Sequence, residues 1–209
     1  LYIAGQTSLF LIWFSLLVVL SWMVLRNLKL RFRKEKECCQ HLFPGVVIPI
    51  TAGRDKSIKL INDANASGKV IGVVAQIDEN IEEPTPNDVY KIGTVARIIR
   101  VLKMPDGNTT VILQGKKRFE IDTFTQEDPY MKATIKEVAE DRPENNDIEF
   151  NSIVDSIKEL AIEIIKESPN IPSEATFAIK NIESNPFLIN FVSSNMNLSV
   201  IEKQNLLSI

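Results

Sequence analysis

Histidine and cysteine are almost absent from this sequence. His41 is the only histidine, and the two cysteines, Cys38 and Cys39, are adjacent. Adjacent cysteines give neither a disulfide framework nor the loop spacing of a zinc site, and a Cys-Cys-x-His set lacks a fourth protein ligand. Two reduced thiols, or juxtamembrane thiols open to acylation, are the remaining readings. The lone histidine has no identifiable triad partners, and no serine sits in a glycine-rich nucleophile turn. A phosphate-binding loop is also lacking. Gly115-Lys116-Lys117 is the nearest fragment, without the upstream glycine or the hydroxyl that would hold magnesium. The acidic run at Asp78, Glu79, Glu82 and Glu83 reads as a solvated loop rather than a general acid/base pair. No catalytic, cofactor-binding or metal-binding residue is therefore assigned, and no substrate-binding residue can be named.

Positive charge is scarce in most of the chain. The segment Arg26–Glu37 carries a net +4 against −3 for all 209 residues, which leaves −7 on Cys38–Ile209. A broad nucleic-acid surface needs clustered Lys and Arg, so nucleic acid is disfavoured as a partner. Aromatic residues make up 7% of the chain, and Tyr90 and Tyr130 are the only tyrosines of the acidic body.

What the sequence does have is polarised. Leu1–Leu25 contains no charged residue and includes the run LFLIWFSLLVVLSWMVL. As a helix this run is long enough to cross a hydrocarbon core of about 30 Å. Arg26, Lys29, Arg31, Arg33, Lys34 and Lys36 follow at once. Basic residues on the C-terminal flank predict a single span with the following domain on the cytoplasmic side, and they argue against a secretory signal peptide. On that side the sequons at Asn65, Asn108 and Asn197 would not be glycosylated. The chain opens on Leu rather than Met and is read as a fragment or a processed chain.

From Leu42 the pattern changes. Pro44-Gly45 marks a turn, and Val46–Ile50 is an apolar run of strand length. Asp55 is placed to cap a helix bearing Ile58, Ile61 and Ala64, which Gly68 would end in the left-handed conformation. Val70–Ala75 fits a buried strand. Pro84 and Pro86 make Asp78–Asp88 a loop. Ile92–Leu102 alternates with a slip near Ile98 and Ile99, the sign of a bulge. A Pro105-Asp106-Gly107 turn returns the chain to Thr109–Leu113, and Arg118–Phe124 and Met131–Val138 are further alternating strands. A polar linker, Glu140–Asp147, leads to helical periodicity over Phe150, Ile153, Val154, Ile157, Leu160, Ala161, Ile164 and Ile165. Ser168-Pro169 ends that helix, and Ser173 is placed to cap a second running to Ile182. Asn185-Pro186 reads as an N-cap with Pro at the first helical position, and Ser199 with Glu202 as a capping box.

Leu42-Phe43-Pro44-Gly45, Gly53-Arg54, Val74-Ala75-Gln76, Tyr90-x-x-Gly93-Thr94-Val95-Ala96, Pro105-Asp106-Gly107, Gly115 with Arg118, Ile171-Pro172 and Lys203-Gln204-x-Leu206-Leu207 occur in one order. In that order and spacing the stretch Leu42–Ile209 resembles the N-terminal domain of the Lon family of ATP-dependent serine proteases. The resemblance implies an α+β fold: a curved antiparallel β pseudo-barrel of PUA-like type over 42–140, then a small helical bundle over 147–209. Residues 1–41 stand apart as a membrane-like helix with a basic flank. They are either native or foreign to the domain, because CCQH occupies the place of the strand such domains begin with. The resemblance also implies substrate recognition and hexamer assembly, with unfolded protein as partner. ATP and magnesium belong only to an ATPase domain that this sequence does not contain. Glycines here are expected to serve close backbone approach, and Gln76 and Arg118 to tie loops to the sheet rather than touch substrate. A membrane-anchored adaptor with a stand-alone Lon-like domain is the competing reading.

Overall fold

The computed structural model describes residues 41–209 except 79, 105–106, 140–142, 144–146, 170 and 173. The expected membrane helix in residues 1–25, its basic flank and the two cysteines lie outside the described residues, as do Glu79, Pro105, Asp106 and Ser173. No helix among the described residues is long and apolar enough to cross a membrane. The described chain forms two compact units. One holds the residues up to Val154 together with Ile182–Ile209, and Asp155–Asn181 belongs to the other.

The first unit is built on an antiparallel sheet of five strands: β1 (Val47–Ala52), β2 (Val70–Val73), β3 (Ile92–Lys103), β4 (Thr109–Gln126) and β5 (Lys132–Glu137). The order is β1-β4-β3-β2, with β5 pairing the far half of β4. The β3–β4 hairpin is the spine. Gly107 takes φ +87 at its tip, and Met104 and Asn108 close it with an N–H···O bond of 2.9 Å. A positive φ is where glycine costs least. The bend expected near Ile98 is present: register shifts fall between Val95 and Ala96 and between Ile98 and Arg100. The two strands expected at Thr109–Leu113 and Arg118–Phe124 are one. Gly115 between them stays in the ladder, opposite Ala96 on one side and bonded to Gly45 and Val46 on the other.

β2 departs from expectation. It ends at Val73, and among the described residues it is an outer strand, with Val70 57% exposed on the face away from the core. Its inner side chains, Ile71 and Val73, do pack on the main core of Leu42, Ala52, Ile61, Ala64, Ala96, Ile98, Val111 and Leu113. Helix α1 (Asp55–Ser67) covers that core with Ile61 and Ala64. Asp55 is the first helical residue rather than the cap; Arg54 takes the cap position without a side-chain bond. An aspartate there still opposes the positive end of the helix dipole. At the other end Lys69, not Gly68, takes the left-handed conformation with φ 60. The amides of Gly68 and Lys69 both donate to the Ala64 carbonyl, at 3.1 and 2.8 Å.

Four helices follow: α2 (Ile148–Glu167), α3 (Glu174–Lys180), α4 (Asn185–Asn195) and α5 (Val200–Ser208). The cap of α4 is Ser184, whose hydroxyl accepts from the Phe187 amide at 3.3 Å, so Asn185 is already helical. The α5 capping box is as expected, with Ser199 N–H donating to Glu202 at 2.8 Å and Glu202 N–H donating to Ser199 Oγ at 3.3 Å. Helix α2 splits its apolar residues into two stripes. Phe150, Val154, Ile157, Ala161 and Ile165 are buried or half-buried, whereas Ile153, Leu160 and Ile164 are exposed.

Candidate functional site

The residues singled out in the sequence converge on two structural clips and leave an apolar surface elsewhere. In the first clip the Leu42–Gly45 turn lies against β4. A Cβ on Gly115 would stand 2.3 Å from the Phe43 carbonyl oxygen, so this crossing admits only glycine. Thr94, fully buried, donates its hydroxyl to the Leu42 carbonyl at 2.5 Å. Phe43, Val46 and Leu207 form a second small core, which docks α5 on the sheet. Arg118 donates from its guanidinium to the Leu207 carbonyl at 3.0 Å, satisfying one of the acceptors that a helix C-terminus leaves open.

His41 completes this clip. Gln204 donates its amide N–H to the Ile92 carbonyl at 3.1 Å, which turns its Oε1 toward His41 Nε2, 3.0 Å away. That oxygen can only accept, so Nε2 carries the proton. Nδ1 is then a bare acceptor, buried and without a partner among the described residues. Burial holds the imidazolium form below its usual range; the Gln204 bond works the other way, and nearby Lys203 adds to the lowering. Tyr90 stands beside the imidazole, with ring centroids 6.5 Å apart.

The second clip fixes the acidic loop. Gln76, 4% exposed, donates to the carbonyls of Asp78 and Ile81, both at 2.6 Å, and Arg54 reaches the same Ile81 carbonyl at 3.4 Å. Two of the loop's acids are paired locally: Asp78 accepts from the Asn80 amide at 2.9 Å, and Glu83 pairs with Lys56 at 2.9 Å. Lys116 and Lys117 bond Gln114 and Glu137 at 2.7 and 2.6 Å. Tyr130 donates to Asp63 at 3.1 Å. Among the described residues no group of His, Cys, Asp and Glu could hold a metal ion. Gln76 and Arg118 thus tie loops and a helix to the sheet. Thr94, Gln204 and Leu207 stand within the motifs quoted from the sequence, but no local pattern marks their pairings with Leu42, with Ile92 and His41, and with Arg118.

Several apolar side chains are exposed as well, beside the exposed Arg97, Arg100 and Lys103. Val70, Ile77, Ile99, Leu102 and Met104 are each at least 40% exposed, along β2 and toward the tip of the β3–β4 hairpin.

A family model for the ATP-dependent protease La (LON) substrate-binding domain matches residues 40–209. The chain belongs to the Lon substrate-binding domain family. It is 79% identical over 168 residues to the Lon protease of Flavobacterium johnsoniae, covering 80% of this chain and 21% of that protein. It is 47% identical over 166 residues to the Lon protease of Cytophaga hutchinsonii, covering 79% and 20%. This Lon-family chain therefore spans about a fifth of the length of the curated relatives it matches. The fold is similar to the N-terminal domain of Mycobacterium avium complex Lon protease, with a TM-score of 0.62 at 20% identity over 81% of this chain and 85% of that one. A Lon N-terminal domain protein from Xanthomonas campestris gives a TM-score of 0.52 at 15% identity, over 82% and 86%. The clips described above lie within the matched region.

Proposed function

We propose that this Lon-family domain captures unfolded or damaged polypeptide and presents it to the ATPase and Ser-Lys protease parts of a Lon-type enzyme. The match of residues 40–209 to a substrate-binding domain carries the reading. The exposed apolar residues of β2 and the hairpin support it, because an unfolded chain displays the hydrophobic side chains that a native surface hides. Within the proposal, 42–140 acts as a PUA-like pseudo-barrel and 147–209 as its helical subdomain. Six copies on the cytoplasmic side surround one entrance and gain avidity from multiplicity, so each copy binds weakly alone.

Titration of the chain with one model protein, chemically unfolded and native, tests this. Preference for the unfolded form is expected. Equal affinity for both forms, or RNA binding that falls steeply with salt, would overturn the reading.

A further inference from the structure

A bulge in β3 decides which side chains share the face of the sheet turned away from the core. Three residues apart on a regular strand, Arg97 and Arg100 would point to opposite faces. The register shift between Ile98 and Arg100 makes Ile99 an extra residue, so Ile98 stands opposite Leu113 and Arg100 opposite Ile112. Ile98 and Leu113 belong to the main core. Arg97, opposite Gln114, and Arg100 therefore both stand on the outer face. Gln114 and Ile112 are two residues apart on β4, which sets the two arginines about 7 Å apart along the sheet. Val70 on β2 lies beside Arg97, and Leu102 follows Arg100 on the same face of β3.

This half of the sheet is basic in an acidic body. The stretches 46–52, 69–75, 92–104 and 107–116 hold Lys69, Arg97, Arg100, Lys103 and Lys116 and no acid, although Cys38–Ile209 as a whole carries −7. Arg97 and Arg100 are exposed, and no ion pair among the described residues engages either guanidinium. The N-terminal sequence offers no net counter-charge: Leu1–Leu25 has no charged residue and Arg26–Glu37 carries a net +4. A guanidinium matches a carboxylate in charge and in its planar fork of donors. Val70 and Leu102, 57% and 40% exposed, add apolar contact beside the arginines, which a polypeptide can meet and a bare phosphate chain cannot.

We propose that this outer face, through Arg97 and Arg100, docks an extended acidic polypeptide segment with two carboxylates at alternate positions and an apolar residue at the next. The inference rests on the substrate-binding reading above and names a class of segment for it to take. Alternate side chains of an extended chain lie about 7 Å apart on one side, the spacing of the two arginines. The carboxylates then meet Arg97 and Arg100, and the apolar residue meets Leu102. A folded protein has few free extended segments to offer, so the same geometry discriminates against native chains.

The test titrates the chain with a serine-flanked peptide containing Glu-Ser-Glu-Ser-Leu and with its Gln-Ser-Gln-Ser-Leu counterpart. Replacing the glutamates should weaken binding by about fivefold, as should the double variant Arg97→Gln with Arg100→Gln, the range of two exposed ion pairs. The two changes together should weaken it no further than either alone, the mark of groups that meet. Both arginines are exposed, so the double variant should melt as the wild type does. Lys132→Gln on β5 should change nothing. Equal binding of the two peptides, wild-type affinity in the double variant, or additive losses overturns the site. So does a gain in affinity when Glu140→Gln, Asp141→Asn and Glu144→Gln are combined, which would make the chain's own linker the occupant. Tighter binding of a single-stranded RNA dodecamer, lost in the double variant, would make nucleic acid the occupant and overturn it too. If unfolded protein is preferred over native while the two peptides bind alike, only this inference fails; if unfolded protein is not preferred, the substrate-binding reading fails and this inference with it.

Discussion

His41 is the residue whose chemistry most depends on its surroundings. The Gln204 amide, oriented by the Ile92 carbonyl, leaves Nδ1 without a donor to accept from among the described residues. Protonation would convert that bare acceptor into a buried, unpartnered N–H, and burial already holds the pKa below 6.5. The unfolded chain therefore takes up its proton first as pH falls. The stability tied to neutral His41 is full above about pH 6.5 and is lost as pH drops toward the lowered folded value. Glu83, Asp88, Asp122 and Glu202 are held below their usual ranges by Lys56, Thr85, Lys136 and Ser199, so their losses come at still lower pH. Thermal melts of the wild type should fall between about pH 8 and pH 5.5, and His41→Gln should flatten that slope. Equal slopes would show that His41 does not titrate with unfolding. A lone histidine in a sequence does not disclose this: its partner lies 163 positions away.

Among the elements, α2 shows where a periodic pattern stops being informative. Eight apolar residues at helical spacing predict one buried face. Val154 is 2% exposed, but Leu160 and Ile164 are 58% and 62% exposed. Substituting Gln at both Leu160 and Ile164 should change stability by no more than about 0.5 kcal/mol, as for ordinary surface sites. Val154→Ala should cost about 2 kcal/mol. Denaturant unfolding of the two variants separates these outcomes, and a large loss from the double Gln variant would show that the second stripe is covered. The strands were better marked, since alternation and Gly-bearing turns are local signals. The caps of α1 and α4 were misplaced by one residue because Asp55 and Asn185 are good cap types beside the residues that take the position.

For the whole molecule, the family match begins at residue 40 and His41 is already buried against α5. A chain from Gln40 to Ile209 should therefore fold by itself, with mixed α and β circular dichroism and a cooperative melt. An unfolded product would make upstream residues part of the folding unit. The β1–β4–β3–β2 order and the docking of α5 on the Phe43–Val46 turn are the long-range features on which that cooperativity rests.

The order of turns, strands and capped helices was set by the sequence, because each depends on residues a few positions apart: Gly107 for its turn, Ser199 and Glu202 for their box, the slip at Ile98 for its bulge. The family was legible for the same reason, through short motifs in a shared order. Which side chains stay exposed was decided only by the tertiary structure. Val70 and Ile71 are equally β-branched and adjacent, yet one faces out and the other packs on the core, because successive side chains point to opposite faces of the sheet and only one face of β2 meets the core. Gln204 acquires its role from Ile92 and His41, partners distant in sequence that only the folded sheet and α5 bring within hydrogen-bond reach.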